Sequence, residues 1–356
     1  MRFLLLGAGE EESAWAEAIR ACAGHELLAV WPETPFHEPN LNEIDAPLAL
    51  QGVDAVIVGG PISFRDQALR KVAAAGFHAI ALHPPGPNAD AYYQVALSRE
   101  ETGSIVVPDL PQRLSPSVVE LKQAIVNGMF GAPLELLLDV QVEPGDDDLV
   151  GPVFSRWADL IRHLLGEATT ILSFGEPTGM YPSRSLTAQL RSGESARAEV
   201  RISRGATPLA RLTATGPRGS TTLDLGLEEG FDPRQAILAE FENAVARKPS
   251  HPDLVDGTRA MELAEGVGRS LRRGRTLDLH YEQVSEANNF KSVMTSIGCM
   301  ILLACLVALP MALAGPALGM NWMLYIAYAI PPLLVFFALT QLLKYGVKPP
   351  KAVEKG

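Results

Sequence analysis

The sequence predicts an α/β protein. Its expected parts are an N-terminal Rossmann-like, doubly wound parallel sheet, a second α+β part with a mainly antiparallel open sheet, and two C-terminal transmembrane helices. Three observations predict this. Short apolar runs alternate with helix-spaced segments through Gly/Pro turns in the first third of the chain. Residue-by-residue alternation follows, with Leu136, Leu138, Val140 and Val142 against Glu135, Asp139 and Gln141. From Ser292 to Leu343 there is no Asp, Glu, Lys, Arg or His, about fifty residues where one crossing needs about 20. The expected divisions are residues 1–117, 118–284 and 285–356.

The first part opens with the apolar run Arg2 to Leu6, which enters the turn Gly7-Ala8-Gly9; Trp15, Ile19 and Cys22 then recur at helical spacing. Further strands are expected at Leu27 to Trp31, Val53 to Val58 and Ala79 to Leu82, with a helix from about Phe64 to Ala75. Ligands of such a sheet are expected beyond the C-terminal strand ends. Gly7, Ala8 and Gly9, with Gly60 and Pro61 after the third strand, are therefore the candidate dinucleotide-binding residues. The fingerprint is partial, because Glu12 stands where a third glycine packs helix on strand. Glu10, Glu11 and Glu12 either complement the helix dipole or oppose a pyrophosphate at the helix start. After the second strand Glu33 is the nearest carboxylate for ribose hydroxyls, or simply a solvated turn residue.

A helix is expected from Val118 to Asn127. Strands follow at Thr169 to Ser173, Leu186 to Leu190, Arg197 to Ile202, Leu209 to Thr215 and Thr221 to Leu225. An open sheet face commonly packs on a twin, so a homo-oligomer, a dimer or larger, is expected. Asp146, Asp147 and Asp148 read as a solvated loop with a helix cap, the alternative being a cation site, and no metal is expected.

In the tail, spans are expected at about 292–314 and 323–343, broken by Gly315, Pro316 and Gly319. Lys291 and the tail lysines flank the outer ends, which places both termini and the preceding domains in the cytoplasm, at the cell membrane. The expected partners are the lipid bilayer and a membrane protein. Nucleic acid is excluded, because the net charge is -11 and the acidic excess lies before Lys291. Only Cys22, Cys299 and Cys305 are present, which gives no disulfide framework and no cysteine zinc site.

The order of motifs resembles the glucose-fructose oxidoreductase and inositol dehydrogenase family, Gfo/Idh/MocA, over nearly all of residues 1–278. Its marks are Gly7-Ala8-Gly9, Pro61, Ala74 to His78, Arg113 to Pro116, Leu121 to Gly131, Asp159 to Gly166, Phe241, Asp256-Gly257 and Ser270 to Leu277. The resemblance implies NAD or NADP as cofactor. It also implies a Glu-Lys-Pro motif and a His-x-x-Asp motif whose Lys and His move the alcohol proton. Here those fall on His83-Pro84-Pro85 and Arg156-Trp157-Ala158-Asp159, so the lysine and histidine positions are Pro84 and Arg156. Proline has no titratable group, and Arg stays protonated and cannot act as a base. His83, Arg156 and Asp159 are the candidate catalytic residues. Arg156 either pairs with Asp159 one turn along or binds an anionic ligand. Two functions are expected from this pattern. One is a binding or scaffold module that has lost dehydrogenase chemistry; the other is an active oxidoreductase on a sugar or membrane-associated glycan precursor, using His83 for proton transfer.

Overall fold

In the computed structural model, residues 1–32, 43–145, 148–176, 184–226, 228 and 230–279 are described, with positions 306, 308, 310, 328 and 332. The first sheet has β1 (Arg2–Leu6), β2 (Glu26–Trp31), β3 (Ala55–Val58), β4 (His78–Ala81) and β5 (Val106–Pro108). All pairs are parallel, in the order β2-β1-β3-β4-β5. Between the strands run α1 (Glu10–Ala21), α2 (Asp45–Leu48), α3 (Ile62–Ala74) and α4 (Asp90–Thr102). After their first residues, Arg2, Glu26 and His78, β1, β2 and β4 are apolar, and all four residues of β3 are buried, as a sheet covered on both faces by helices requires.

The second sheet has β6 (Leu134–Val142), β7 (Thr170–Gly175), β8 (Ser185–Ser192), β9 (Ala196–Arg204), β10 (Leu209–Gly216), β11 (Gly219–Asp224) and β12 (Leu277–Asp278). Its order is β11-β10-β6-β9-β8-β7-β12. Among the described pairs of this second sheet only β6 and β9 run parallel. The α-helices α5 (Pro116–Val126), α6 (Ser155–Leu165), α7 (Pro233–Val245) and α8 (Leu254–Arg273) follow, with a 3-10 helix at Pro111–Leu114 and a π-helix at Leu149–Phe154. One sheet face buries Leu136, Leu138, Leu186, Ala188, Val200 and Leu212, and α6 and α8 lie against this sheet. The other face is solvated and carries the pairs Arg197–Glu135 at 2.6 Å and Arg211–Asp224 at 2.8 Å. Exposed pairs of this kind contribute little stability.

The last helices return to the first sheet. On one of its faces Phe3, Leu5 and Ile57 pack with Trp15 and Ile19 of α1 and with Ile237, Leu238 and Phe241 of α7. On the other, Phe64, Leu69 and Tyr92 pack with Leu254 and Met261 of α8. Residues late in the chain thus close the core begun at Arg2, and non-local contacts of this kind leave no periodicity in the sequence. Nor did the pattern disclose α4 or β5. Helix α4 buries Ala91, Tyr92 and Val95 without a single clean apolar stripe, and β5 has only three residues.

The expected cell-membrane localisation is corrected. Among the described residues no helix is long and apolar enough to cross a membrane. The longest, α8, has 20 residues but carries Asp256, Arg259, Glu262, Glu265, Arg269, Arg272 and Arg273, charges that a bilayer core disfavours. The segments expected to span, 292–314 and 323–343, lie outside the described residues apart from isolated positions, as do Glu33, Asp146 and Asp147. Asp148 is a helix cap, accepting from the amide of Val150 at 3.1 Å.

Candidate functional site

The C-terminal ends of the first sheet converge on one cluster of charged residues. Gly7 follows β1, Gly59 and Gly60 follow β3, His83 and Pro84 follow β4, and Asp109 follows β5. Strand ends of a doubly wound sheet are where such a fold places its ligand. Gly7 holds φ +117°, and a Cβ there would stand 2.5 Å from the Gly60 nitrogen and 2.8 Å from Glu12 Cγ. Only glycine fits.

Glu12 fills this cradle. It is the third residue of α1, yet its side chain turns back and is only 3% exposed. One carboxylate oxygen accepts from the Gly9 amide at 2.8 Å and the other from the Gly60 amide at 2.6 Å. Arg65, also buried, donates through Nε to the Gly60 carbonyl at 2.7 Å and pairs with Glu11 at 2.9 Å, with Glu12 3.8 Å away. Arg156 projects from the start of α6 and meets Glu11 at 3.0 Å. It does not pair with Asp159. Glu11 is thus held between two guanidiniums, one from each side of the crevice, and the three successive glutamates divide their work. Glu10 is exposed, Glu11 neutralises arginines and Glu12 satisfies loop amides.

His83 is 1% exposed and shares a 3.1 Å hydrogen bond between Nδ1 and the Tyr92 hydroxyl. Burial lowers its pKa to about 3, with Arg156 and Arg65 adding to the effect. Burial likewise pushes the Tyr92 hydroxyl well above its usual range. Asp109 behaves in the opposite sense to an exposed carboxyl. Burial, then Glu11, raises it to about 6, against the pull of Arg156, of the Trp15 N–H at 3.2 Å and of Arg234.

Asp159 lies elsewhere, in a buried ion network. Arg113 Nε donates to it at 2.7 Å, a second Arg113 nitrogen bonds its other oxygen, and Arg113 Nη1 reaches Asp256 at 2.8 Å. Arg162 also bonds Asp256. This joins the Pro111–Leu114 turn, α6 and the start of α8. His163 borders the network, its pKa lowered to about 3 by burial and then by Arg113. His251, Asp253 and Asp256 bring possible ligand atoms within 4.8 Å of one another. Both Asp256 oxygens are engaged by arginines, however, and those charges disfavour a cation.

The structure therefore gathers Gly7, Gly9, Gly60, His83 and Arg156 around Glu11, Glu12 and Arg65, with Ala8 and Pro61 as chain neighbours of that cluster, and leaves Asp159 in the Arg113 network. The sequence reading missed Arg65, Asp109 and Arg113. A carboxylate just beyond a short strand, as in Val106-Val107-Pro108-Asp109, was the available signal for Asp109.

No protein-family model matches this chain, and no curated protein does. Solved structures do. A myo-inositol dehydrogenase from Corynebacterium glutamicum shares 19% identity with a TM-score of 0.65, over 79% of this chain and 99% of that one. The fold is that of Gfo/Idh/MocA dehydrogenases. The WlbA dehydrogenase from Bordetella pertussis, solved with NADH and UDP-GlcNAcA, shares 17% identity with a TM-score of 0.68, over 79% of this chain and 99% of that one. GenD2 of gentamicin A biosynthesis, solved with NAD, shares 15% with a TM-score of 0.69, over 79% and 97%. Fold relatives thus hold NAD or NADH. In this chain, as folded, the residues do not fit a pyrophosphate on the glycine loop, because the Gly9 and Gly60 amides already bond a carboxylate of the same sign.

Proposed function

We propose that this chain is a Gfo/Idh/MocA-fold protein without ordinary dehydrogenase chemistry, acting as a binding or scaffold module. The observation that carries the reading is the lack of a proton acceptor at the two positions the resemblance assigns to one. Pro84 has no titratable group, and Arg156 is a permanent cation paired with Glu11 at 3.0 Å. His83 does not replace them. With a pKa of about 3 and 1% exposure it is a weak base sealed from solvent. The charged open face of the second sheet would meet a second copy, or another protein, by charge complementarity more than by apolar burial. The test is hydride transfer: NAD or NADP with a panel of polyols and sugar nucleotides, followed by absorbance of the reduced cofactor. The proposal expects no turnover above the uncatalysed rate.

A second reading rests on Asp109. A carboxyl at the strand ends with a pKa of about 6 suits proton transfer near neutrality. Turnover in the same assay that Asp109→Asn abolishes and His83→Gln retains would favour an enzyme built on that group.

A further inference from the structure

We infer that Glu12 is a built-in occupant of the seat in which this fold holds a dinucleotide phosphate. The loop keeps the shape of an anion site: Gly7 in a conformation closed to other residues, the Gly9 amide at the start of a helix of 12 residues, and the Gly60 amide facing it from the neighbouring strand end. What has changed is the occupant. A carboxylate reaches both amides, and its Cγ lies 2.8 Å from where a Gly7 side chain would begin. A Cβ on Gly9 would likewise meet Glu12 Oε2 at 2.5 Å. The space that the glycines leave clear for a ligand is thus taken from within the chain.

The energetics favour this internal anion. Both amides are part-buried, and the carboxylate gives each a charge-assisted bond. The positive end of α1 and the Arg65 guanidinium offset its burial. Being part of α1, Glu12 also binds without the loss of translational freedom that a free ligand suffers. An entering phosphate has to displace it and then face Glu10 and Glu11. The inference concerns the same cluster of strand-end residues as the proposed function, but the seat and not proton transfer.

The test uses inorganic pyrophosphate as probe, by calorimetry, on the full chain and two variants. Glu12→Gly empties the seat; Glu10→Ala removes an equal charge from the same turn at an exposed position. The expected result is at least a tenfold gain in pyrophosphate affinity for Glu12→Gly over the unaltered chain and less than a twofold change for Glu10→Ala. Equal gains in the two variants, or none in Glu12→Gly, would overturn the inference. A second measurement needs no variant. In the unaltered chain the Gly9 and Gly60 amides should exchange with deuterium far more slowly than exposed loop amides, and rapid exchange at both would also overturn it. Failure of the inference in either measurement leaves the proposed function standing, because that rests on Pro84 and Arg156 and not on Glu12, so the two failures are separable.

Discussion

Replacing Arg113 with Met removes the centre of the buried ion network while keeping most of the apolar stem. Arg113 is 5% exposed and Asp159 2%. The substitution deletes the bonds to Asp159 Oδ2 at 2.7 Å and to Asp256 at 2.8 Å, as well as the second contact with Asp159. Asp256 retains Arg162 and His251, but Asp159 keeps only Arg162 at 3.5 Å. Breaking a buried ion pair by removing one partner costs about 3–5 kcal/mol, because a charge is left uncompensated. Arg162 supplies part of the compensation here, so the lower end, about 3 kcal/mol, is expected. With a urea slope near 3 kcal/mol/M the unfolding midpoint falls by about 1 M. Adding Asp159→Asn should restore about 1–3 kcal/mol, since the orphaned charge is gone. A midpoint loss equivalent to less than about 1 kcal/mol would show that the network is solvated, and would reopen Asp159 as a residue of the crevice.

Two pH dependences follow from the crevice. Since His83 has a folded pKa of about 3, below the unfolded value near 6.5, its contribution is complete above pH 6.5 and lost as pH falls toward 3. The slope is at most about 1.4 kcal/mol per pH unit; urea unfolding of His83→Gln against the unaltered chain across pH 4–7 should show the variant lacking it. Asp109 has the opposite sign. Its folded pKa of about 6 exceeds the model-peptide carboxyl value, so its contribution is complete below pH 3.8 and lost as pH rises through 6. Asp109→Asn should therefore raise the unfolding midpoint at pH 7.5 and lose that advantage at pH 4, and an advantage that does not depend on pH would refute the assignment.

Much of the first sheet was legible because Phe3 to Leu6, Ala55 to Val58 and Ala79 to Leu82 are continuous apolar runs with a Gly or Pro within the next two residues, a pattern that buried parallel strands require. The alternation along β6 likewise exposed a sheet with one wet face, although not its parallel pairing with β9. The site was legible in outline only. Gly7, Gly9, Gly60, His83 and Arg156 were placed by motif order, yet what each side chain does depends on partners far along the chain. Glu12 turns inward because β3 brings Gly60 to it, 48 residues away. Arg156 selects Glu11 over Asp159, a helical neighbour, because Arg113 has already claimed that carboxylate from 46 residues upstream. Such choices are settled by packing and leave no local signal in a single sequence. The long charge-free segment after Ser292 suggests two spans by composition but lies outside the described residues apart from isolated positions, and among the described residues no helix is long and apolar enough to cross a membrane.

The account stands on the glycine loop being filled by the chain's own carboxylate, and the most direct measurement is equilibrium binding of NADH and NADPH to the unaltered protein, followed by calorimetry. No saturable binding up to millimolar cofactor is the predicted result. A micromolar dissociation constant for either cofactor would contradict it.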